Sequence, residues 1–292
     1  MIPGLLALAL AAAAQPVVAA PAPVASAQPL QVRQIRPDCY MITGAGGNVT
    51  VWVSDHGLIF VDDKLGGAAN FDNLVAAARS ISKLPVLAVF NTHHHADHIG
   101  NNQRFIDANV MVIGADGLAR RLAAMRPPAD GNPGPASPNL QFTQDFSLVM
   151  MRGRVEAHHL TPGHTDGDSV ILFPAAGVIA MGDLLVAATP TFDYPGGANI
   201  RGWIAALDSA LKLKWDLAVP GHGDAPMTRS DVEAFRAKLA TFLDRARAAV
   251  RTGVPRDRLI ASIRTDDLGW TWNERSWLPA RLDGLWTEAG GA

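Results

Sequence analysis

After Leu30 the chain alternates short apolar runs with glycine-rich turns. Runs of this length, bounded by turn residues, are typical of buried strands and are too short for most helices. The pattern returns in the second half of the chain, so strands are expected on both sides of its middle. The predicted strands are Val49–Val53, Leu58–Val61, Val86–Phe90, Val110–Ile113, Phe146–Met151, Arg154–His158, Val170–Phe173, Val178–Met181 and Leu217–Val219.

Apolar residues at helical spacing predict helices between these strands. Asn70 is the expected N-cap of the first helix, and Ser230 with Glu233 forms the expected capping box of the last. The predicted helices are Asn70–Ser82, Asp116–Met125, Ile200–Leu213 and a long helix that opens at Ser230 and ends near Thr252. Strands mixed with helices in both halves indicate a layered α/β sandwich.

The N-terminus has the pattern of an export signal. Leu5–Ala14 is apolar but too short to span a hydrocarbon core of ~30 Å, and Ala25–Ala27 fits a cleavage site of small residues. Residues 1–27 are therefore expected to be a signal peptide, which makes the mature protein periplasmic or secreted and leaves no stable membrane insertion. The first four residues lack Lys and Arg, so a disordered Ala/Pro tail or a misassigned start codon is the alternative.

The remaining chain is expected to form one main domain with an extension. Residues 28–252 hold the alternating strands and helices, and residues 253–292 form a helical extension that carries four of the seven tryptophans. These tryptophans favour packing of the extension on the same domain, with a substrate-pocket wall as the alternative. The four are Trp270, Trp272, Trp277 and Trp286.

Composition and charge exclude several classes of protein. Twenty-five Lys and Arg residues stand against 27 Asp and Glu residues, and no basic run occurs, so a nucleic-acid partner is not expected. The expected partner is a small-molecule substrate. Cys39 is the single cysteine, which precludes an intrachain disulfide and favours a small buried side chain.

Histidines and aspartates cluster directly after the predicted strand Val86–Phe90. In an extended segment His93 and His95 lie on the same side, so both could reach one metal ion. The adjacent Asp97 and His98 could serve a second ion nearby. Imidazole and carboxylate groups are suitable ligands for Zn²⁺, Fe or Mn.

Three further candidate ligands follow apolar runs or turns. His164 lies in Gly-His-Thr, Asp183 in Gly-Asp and His222 in Gly-His-Gly. Each is flanked by a residue that favours turns, as expected for side chains presented at one edge of a sheet. With the cluster after Val86–Phe90 they make a set of candidate ligands large enough for two ions, provided one carboxylate bridges them.

The sequence His-x-His-x-Asp-His, followed in order by Gly-His-Thr, Gly-Asp and Gly-His-Gly, resembles the metallo-β-lactamase-fold superfamily from Gln31 to Arg251. The resemblance implies an α/β fold of the αββα four-layer sandwich type, with the site at one edge of two sheets. It implies a first metal bound by His93, His95 and His164. It also implies a second metal bound by Asp97, His98 and His222, with Asp183 bridging the two.

The resemblance also bears on activity. β-Lactamases of this fold usually carry Cys or Ser where this chain has Asp183, whereas an aspartate is typical of glyoxalase II, lactonases and related hydrolases. The resulting hypothesis is an exported hydrolase with two zinc ions, in which metal-bound hydroxide attacks a β-lactam, lactone or thioester carbonyl. Asp97 is the expected catalytic residue, orienting the hydroxide. The alternatives are an iron-dependent oxidoreductase and a non-catalytic periplasmic metal-binding relay protein.

Further residues are expected to support the site rather than form it. Asp62 ends the strand Leu58–Val61 and could orient a ligand imidazole, and Asp168 could do the same. His94, between two candidate ligands, is expected to point away from them. Substrate specificity is expected in the loops Gly44–Asn48, Arg126–Pro138 and Ala187–Asn199.

Overall fold

A computed structural model describes residues 29–125, 134–273 and 276–291. The predicted signal peptide, residues 1–27, and most of the predicted loop Arg126–Pro138 lie outside the described residues. Within the described ranges, none of the helices combines the length and the apolar character that crossing a membrane requires.

The first sheet holds seven strands in chain order. Its strands are β1 (Gln31–Arg36), β2 (Cys39–Thr43), β3 (Val49–Val53), β4 (Leu58–Val61), β5 (Val86–Phe90), β6 (Met111–Ala115) and β7 (Leu140–Phe142). Neighbours from β1 to β4 pair antiparallel, and neighbours from β4 to β7 pair parallel. The parallel pairing places the carboxyl ends of β4 and β5 at the same edge.

The second sheet holds six strands in the order β13-β12-β11-β10-β9-β8. Its strands are β8 (Asp145–Met150), β9 (Gly153–His159), β10 (Ser169–Phe173), β11 (Val178–Ala180), β12 (Leu217–Val219) and β13 (Met227–Thr228). Only β11 and β12 are parallel neighbours among these described strands. Their carboxyl ends therefore point the same way, and each leads into a loop with a candidate ligand.

Eight α-helices occur among the described residues. They are α1 (Ala68–Ile81), α2 (Ala96–Ile99), α3 (Asn102–Asp107), α4 (Asp116–Ala124), α5 (Ile200–Ala210), α6 (Arg229–Arg251), α7 (Leu259–Ser262) and α8 (Pro279–Glu288). Short 3₁₀ turns occur at Gly182–Leu184, Tyr194–Gly196, Arg256–Arg258 and Asp266–Leu268.

Three apolar clusters show four layers. Phe90 of the first sheet and Phe173 of the second belong to one buried cluster, so the sheets pack face to face. Leu74 of α1 packs in a cluster on the outer face of the first sheet. Trp203 of α5 and Phe242 of α6 pack on the outer face of the second. Burial on both faces of each sheet makes this the predicted αββα sandwich, which is confirmed.

The first helix does not begin where the sequence pattern places it. Its N-cap is Gly67, and Asn70 lies inside the helix. The Asn70 side chain donates a hydrogen bond to the carbonyl of Gly66 at 3.0 Å instead of capping a backbone N–H. The expectation that Asn70 caps the helix is therefore wrong.

The long helix α6 also begins earlier than expected. Thr228 is its N-cap and forms a capping box with Asp231, so the box expected from Ser230 and Glu233 is wrong. The Thr228 N–H donates to Asp231 Oδ2 at 2.7 Å. Thr228 also ends β13, so the strand passes directly into the helix.

Some strands have no apolar signal in the sequence. The edge strand β1 is mostly exposed, and β7 and β13 are only three and two residues long. Backbone pairing with neighbours, rather than a hydrophobic run, forms these strands.

The C-terminal tryptophans pack on the outer face of the second sheet. Trp270 is 2% exposed and lies in the same buried cluster as α5 and α6, together with Leu285 of α8. Trp272 and Trp277 pack against this cluster and contact the Phe242 ring at centroid distances of 5.3 and 6.1 Å. The extension thus covers the helices of this layer.

Candidate metal centre

The loop after β5 turns from extended backbone into the helix α2, which separates two pairs of side chains. His95 is extended, with φ −68° and ψ 138°, and α2 begins at the next residue. The extended part presents His93 and His95 together, whereas the helical turn presents Asp97 and His98. The sequence prediction divided these four residues in the same way.

The first group consists of His93, His95, His164 and Asp183. One ligand atom from each lies within 4.8 Å of the others. His164 Nε2 is 3.0 Å from His95 Nδ1 and 3.5 Å from Asp183 Oδ2. Loops after β5, β9 and β11 bring these side chains to one edge of the sandwich.

The second group consists of Asp97, His98 and His222, whose ligand atoms also lie within 4.8 Å of one another. His222 Nε2 is 3.3 Å from Asp97 Oδ2 and 3.3 Å from His98 Nε2. Asp183 Oδ1 lies 3.2 Å from His98 Nε2 and 3.4 Å from His222 Nε2. Asp183 therefore lies between the two groups, one oxygen towards each.

The donor atoms in both groups suit a divalent cation. His93 Nε2 is buried and has no hydrogen-bond partner among the described residues. Imidazole nitrogens face each other at 3.0 Å in the first group and 3.3 Å in the second. Convergent nitrogen and carboxylate donors of this kind are the ligands of zinc and related metals, so these residues fit two such ions.

Acceptors behind the imidazoles fix which nitrogen points inward. The His98 Nδ1–H donates to Asp62 Oδ2 at 2.7 Å. The Thr92 backbone N–H and hydroxyl also donate to this carboxylate, each at 2.8 Å. Because the hydroxyl proton is used in this way, His93 Nδ1–H donates to Thr92 Oγ1 at 3.0 Å. Asp62 thus leaves the Nε2 lone pairs of His93 and His98 facing the site.

The other two histidines of the first group are held from a different side. His164 Nδ1 is 3.0 Å from the carbonyl of Thr191, which can only accept a hydrogen bond. His95 Nε2 donates to Asp193 Oδ2 at 2.9 Å. These contacts leave His164 Nε2 and His95 Nδ1 with lone pairs directed at Asp183 and at each other.

Burial and charge distribute protons unevenly across the site. Burial lowers the pKa of His164 to about 3, so its imidazole is neutral. Burial opposes ionisation of Asp183, but the charge of His98 and hydrogen bonds from His222 and His98 hold the pKa of this carboxyl well below its usual range. Burial also opposes the charge on His222, yet hydrogen bonds to Asp183 and Asp97 raise its pKa to about 9. The carboxylates thus favour positive charge, which a bound cation supplies with release of these protons.

Asp168 supports the site less directly than Asp62. Its carboxylate accepts hydrogen bonds from the backbone N–H and hydroxyl of Thr165 at 3.0 and 2.5 Å, which fixes the turn that carries His164. Burial raises the pKa of Asp168 to about 7. His94 belongs to neither group, and its Nε2 lies 3.6 Å from Asp193 Oδ2.

Sequence reasoning missed Thr92, Asp193 and Lys64. The buried Lys64 donates to the carbonyls of Ile42 and Gly47 at 2.9 and 2.8 Å, and burial lowers its pKa to about 7. Lys64 thereby holds the predicted loop Gly44–Asn48 against the second group. No spacing or turn signal marks these three residues, because their roles arise from contacts distant along the chain.

Comparison with known proteins gives a family match that includes every candidate ligand. The family model described as Metallo-beta-lactamase superfamily matches residues 42–222. All seven candidate ligands and Asp62 lie within this range.

Relatives of known name differ in activity. The chain is 27% identical over 203 residues to the 2,4-dinitroanisole O-demethylase subunit alpha of Nocardioides sp.. This alignment covers 67% of this chain and 59% of that protein. It is 25% identical to a hydroxyacylglutathione hydrolase of Nostoc punctiforme, covering 62% of this chain and 75% of the relative. It is 27% identical to metallo-beta-lactamase type 2 of Bacillus cereus, and that alignment covers 61% of this chain and 67% of the relative.

Solved structures agree on the fold. The sec-alkylsulfatase Pisa1 from Pseudomonas sp. matches 90% of this chain with a TM-score of 0.68 and 18% identity, and the chain spans 50% of that protein. A metallo-beta-lactamase from Pontibacter korlensis matches 72% of this chain and 99% of its own with a TM-score of 0.62 and 18% identity. These likenesses establish the architecture of the two sheets and their helices.

Proposed function

This chain belongs to the metallo-β-lactamase superfamily, and from that premise we propose that it is an exported hydrolase with two zinc ions that cleaves a carbonyl substrate. The observation that carries the proposal is the position of Asp183 between two groups of histidines, with one oxygen facing each group. A carboxylate placed in this way could bridge a pair of metal ions, one held by each donor set.

The donor types support zinc. The two groups offer imidazole nitrogens and carboxylate oxygens, and the lone cysteine, Cys39, is buried in the core between the sheets. Two zinc ions bound here would polarise a substrate carbonyl and lower the pKa of a bound water towards neutrality. Iron accepts the same donors, so metal analysis of the purified protein decides between them.

The residues of the chain contribute in distinct ways. Asp97 is 31% exposed and its Oδ2 lies 3.3 Å from His222 Nε2, so its carboxylate borders the open side of the site. From there it is placed to accept a hydrogen bond from an attacking water and orient it. Asp62 accepts from His98 Nδ1 and, through Thr92, orients His93, so the Nε2 atoms of these two histidines face the site and can bind a metal once any proton on them is released.

The substrate class follows from the same residues. Asp183 stands where β-lactamases of this fold usually carry Cys or Ser, which favours an ester, lactone or thioester. The hydroxyacylglutathione hydrolase and metallo-beta-lactamase relatives support a carbonyl substrate, with the β-lactam as the second member of the class. An export signal at residues 1–27 would place this activity in the periplasm or outside the cell.

Metal content and turnover test the proposal together. We expect about two zinc ions per purified chain, with turnover of a chromogenic lactone, a thioester or a chromogenic cephalosporin. Asp183→Asn should lose both metal and turnover. His56→Ala is the matched control, because His56 lies in the β3–β4 turn, where its Nε2 is 3.3 Å from Met151 Sδ. Iron in place of zinc, or two zinc ions with no turnover of the whole panel, would overturn the hydrolase proposal.

Export is tested separately. The full chain expressed in a bacterial host should appear in the periplasmic or secreted fraction with a mature N-terminus at Gln28, measured by intact mass. A chain that begins at Gln28 should stay in the cytoplasmic fraction. Full-length protein in the cytoplasm would contradict the export prediction and leave the hydrolase proposal intact.

A further inference from the structure

The loop of residues 187–199 holds two histidines of the first group from behind. The Thr191 carbonyl accepts from His164 Nδ1 at 3.0 Å, and Asp193 Oδ2 accepts from His95 Nε2 at 2.9 Å. Neither residue belongs to the first or the second group, although Asp193 converges with His94 and His95 in a third set whose donor atoms lie within 4.8 Å of one another. The position of this loop therefore sets the orientation of both rings.

Side chains near residue 270 fix the first half of loop 187–199. Trp272 Nε1–H donates to the carbonyl of Pro190 at 3.0 Å, and the Thr271 N–H donates to Thr189 Oγ1 at 3.0 Å. Pro190 directly precedes Thr191, whose carbonyl meets His164. A shift of Trp272 would therefore move that carbonyl.

Aromatic stacking fixes the middle of the loop. The Phe192 ring is 2% exposed and stacks on Phe242 at a centroid distance of 5.2 Å and an interplanar angle of 7°. It also stacks on Trp277 at 5.6 Å. Phe192 lies between Thr191 and Asp193, so both acceptors flank an anchored ring.

Glu288, near the end of α8, fixes the second half of the loop. Its carboxylate is 5% exposed and accepts from the Tyr194 hydroxyl at 2.8 Å. It also accepts from the backbone N–H groups of Ile200 and Arg201, at 3.0 and 2.9 Å, which are otherwise unpaired donors at the start of α5. Tyr194 directly follows Asp193.

We infer that two residues of the C-terminal extension, Trp272 and Glu288, position the first metal group. Trp272 and Glu288 are positioning residues that act through loop 187–199 on His164 and His95. The inference rests on the proposed function, because it assigns the loop a role in metal binding. It adds a dependence on residues outside the range 42–222 that the family model matches.

Metal affinity of the full mature chain tests this inference. Zinc and cobalt(II) are titrated against a chromophoric chelator, and the His93→Ala and His222→Ala variants assign each binding step to the first or second group. The test variants are Glu288→Gln, which removes the charge and one acceptor, and Trp272→Phe, which keeps a ring but removes the N–H. Asp283→Asn is the control, because Asp283 lies on α8 but pairs with Arg256 rather than with the loop.

The expected result is a selective one. Glu288→Gln and Trp272→Phe should weaken the first-group step by up to about tenfold, the lower end for partners of ligating histidines. They should also change the visible spectrum of cobalt bound there, while the second-group step stays unchanged. Circular dichroism of the metal-free variants shows whether each is folded. If Glu288→Gln does not fold, the measurement on Trp272→Phe still tests the inference.

Other outcomes overturn the inference. Unchanged affinities in a folded variant, equal weakening of both steps, or the same weakening in Asp283→Asn would each do so. A wild-type chain that binds no cation would remove the proposed function along with it. A wild-type chain with two binding steps and unaltered variants would remove only the positioning role.

Discussion

Replacing Asp62 by asparagine should weaken metal binding at both groups. Asp62 has a positive φ of 63°, a conformation that asparagine tolerates better than most residues, so the backbone can stay in place. The side-chain shape is also kept. What changes is that one carboxylate oxygen becomes an NH₂ group, which donates hydrogen bonds and cannot accept them.

One orientation of the new amide protonates the metal-binding nitrogens, and the other leaves a backbone donor unpaired. With the NH₂ at the position of Oδ2, it donates towards His98 Nδ1 and Thr92 Oγ1. The Thr92 hydroxyl then donates to His93 Nδ1, so both histidines carry their proton on Nε2, where a metal must bind. With the amide reversed, the NH₂ faces the Thr92 backbone N–H, which loses the acceptor it has at 2.8 Å.

The magnitude follows from that choice. Metal-free Asp62→Asn adopts the first orientation, and metal binding must drive it into the second, where a buried N–H is left unpaired. An unsatisfied buried donor costs about 1–3 kcal/mol, which raises a dissociation constant by roughly 5- to 150-fold. Because His93 and His98 belong to different groups, either group carries this cost when it binds its ion alone. When both ions bind, one reversal of the amide serves both histidines, so the cost falls on the first step only.

The assay is chelator competition with zinc on the wild-type chain, Asp62→Asn and Asp63→Asn, each combined with His222→Ala or His93→Ala so that the first and the second group are measured alone. Asp63→Asn is the matched control, since Asp63 is a neighbouring buried carboxyl that accepts from the Asn101 N–H at 2.8 Å rather than from a histidine. Unchanged affinity at both groups in the presence of Asp62→Asn would refute the reasoning. Weakening at the second group alone would refute the relay from Thr92 to His93.

Three further predictions concern single positions. In Gly47→Ala the added carbon would lie 2.2 Å from His98 Cε1, so we expect chelator competition to show a weaker second-group step, and an unaltered one would mean that the loop yields freely. Burial raises the pKa of Asp168 from 3.8 to about 7; the folded state then binds more protons than the unfolded state, so this group makes stability fall between about pH 4 and about pH 7. Urea unfolding of the metal-free protein should show a smaller fall for Asp168→Asn than for wild type, and equal pH dependence would contradict this. Burial raises the pKa of the Cys39 thiol to about 12, so a disulfide reagent should label it only on unfolding, and rapid labelling in native buffer would show the core is open.

Much of the site could be predicted because its ligand spacing is local. Spacing along the chain predicts which side chains can point the same way. His93 and His95 are two residues apart, and Asp97 and His98 are adjacent. Asp62 was also within reach, since it ends a strand beside β5. Asp193 was not, because its partner His95 lies 98 residues away and its loop has no periodic pattern.

The strands and helices were likewise predictable only where a local sequence pattern determines them. Strands buried on both faces, such as β5 and β10, have apolar runs that fix their positions closely. The edge strand β1 is formed by pairing with β2, which leaves no hydrophobic run to read. The sequence pattern placed the cap of α6 at Ser230, whereas the structure places it at Thr228. Serine and threonine are both favoured caps, so the pattern does not distinguish hydroxyl residues two positions apart.

The hydrogen-bond acceptors behind the histidines come from two separate parts of the chain, Asp62 and loop 187–199. Variants of the two parts should therefore differ in which metal group they weaken, and comparing them tests more than either variant alone. Asp62 serves His98 directly and His93 through Thr92, so it acts on both groups. Loop 187–199 serves only histidines of the first group. Asp62→Asn should therefore weaken binding at either group when that group is measured alone, and Glu288→Gln should weaken binding at the first group only. General loosening of the fold would make the two variants alike, so the contrast between them tests the hydrogen-bond paths themselves.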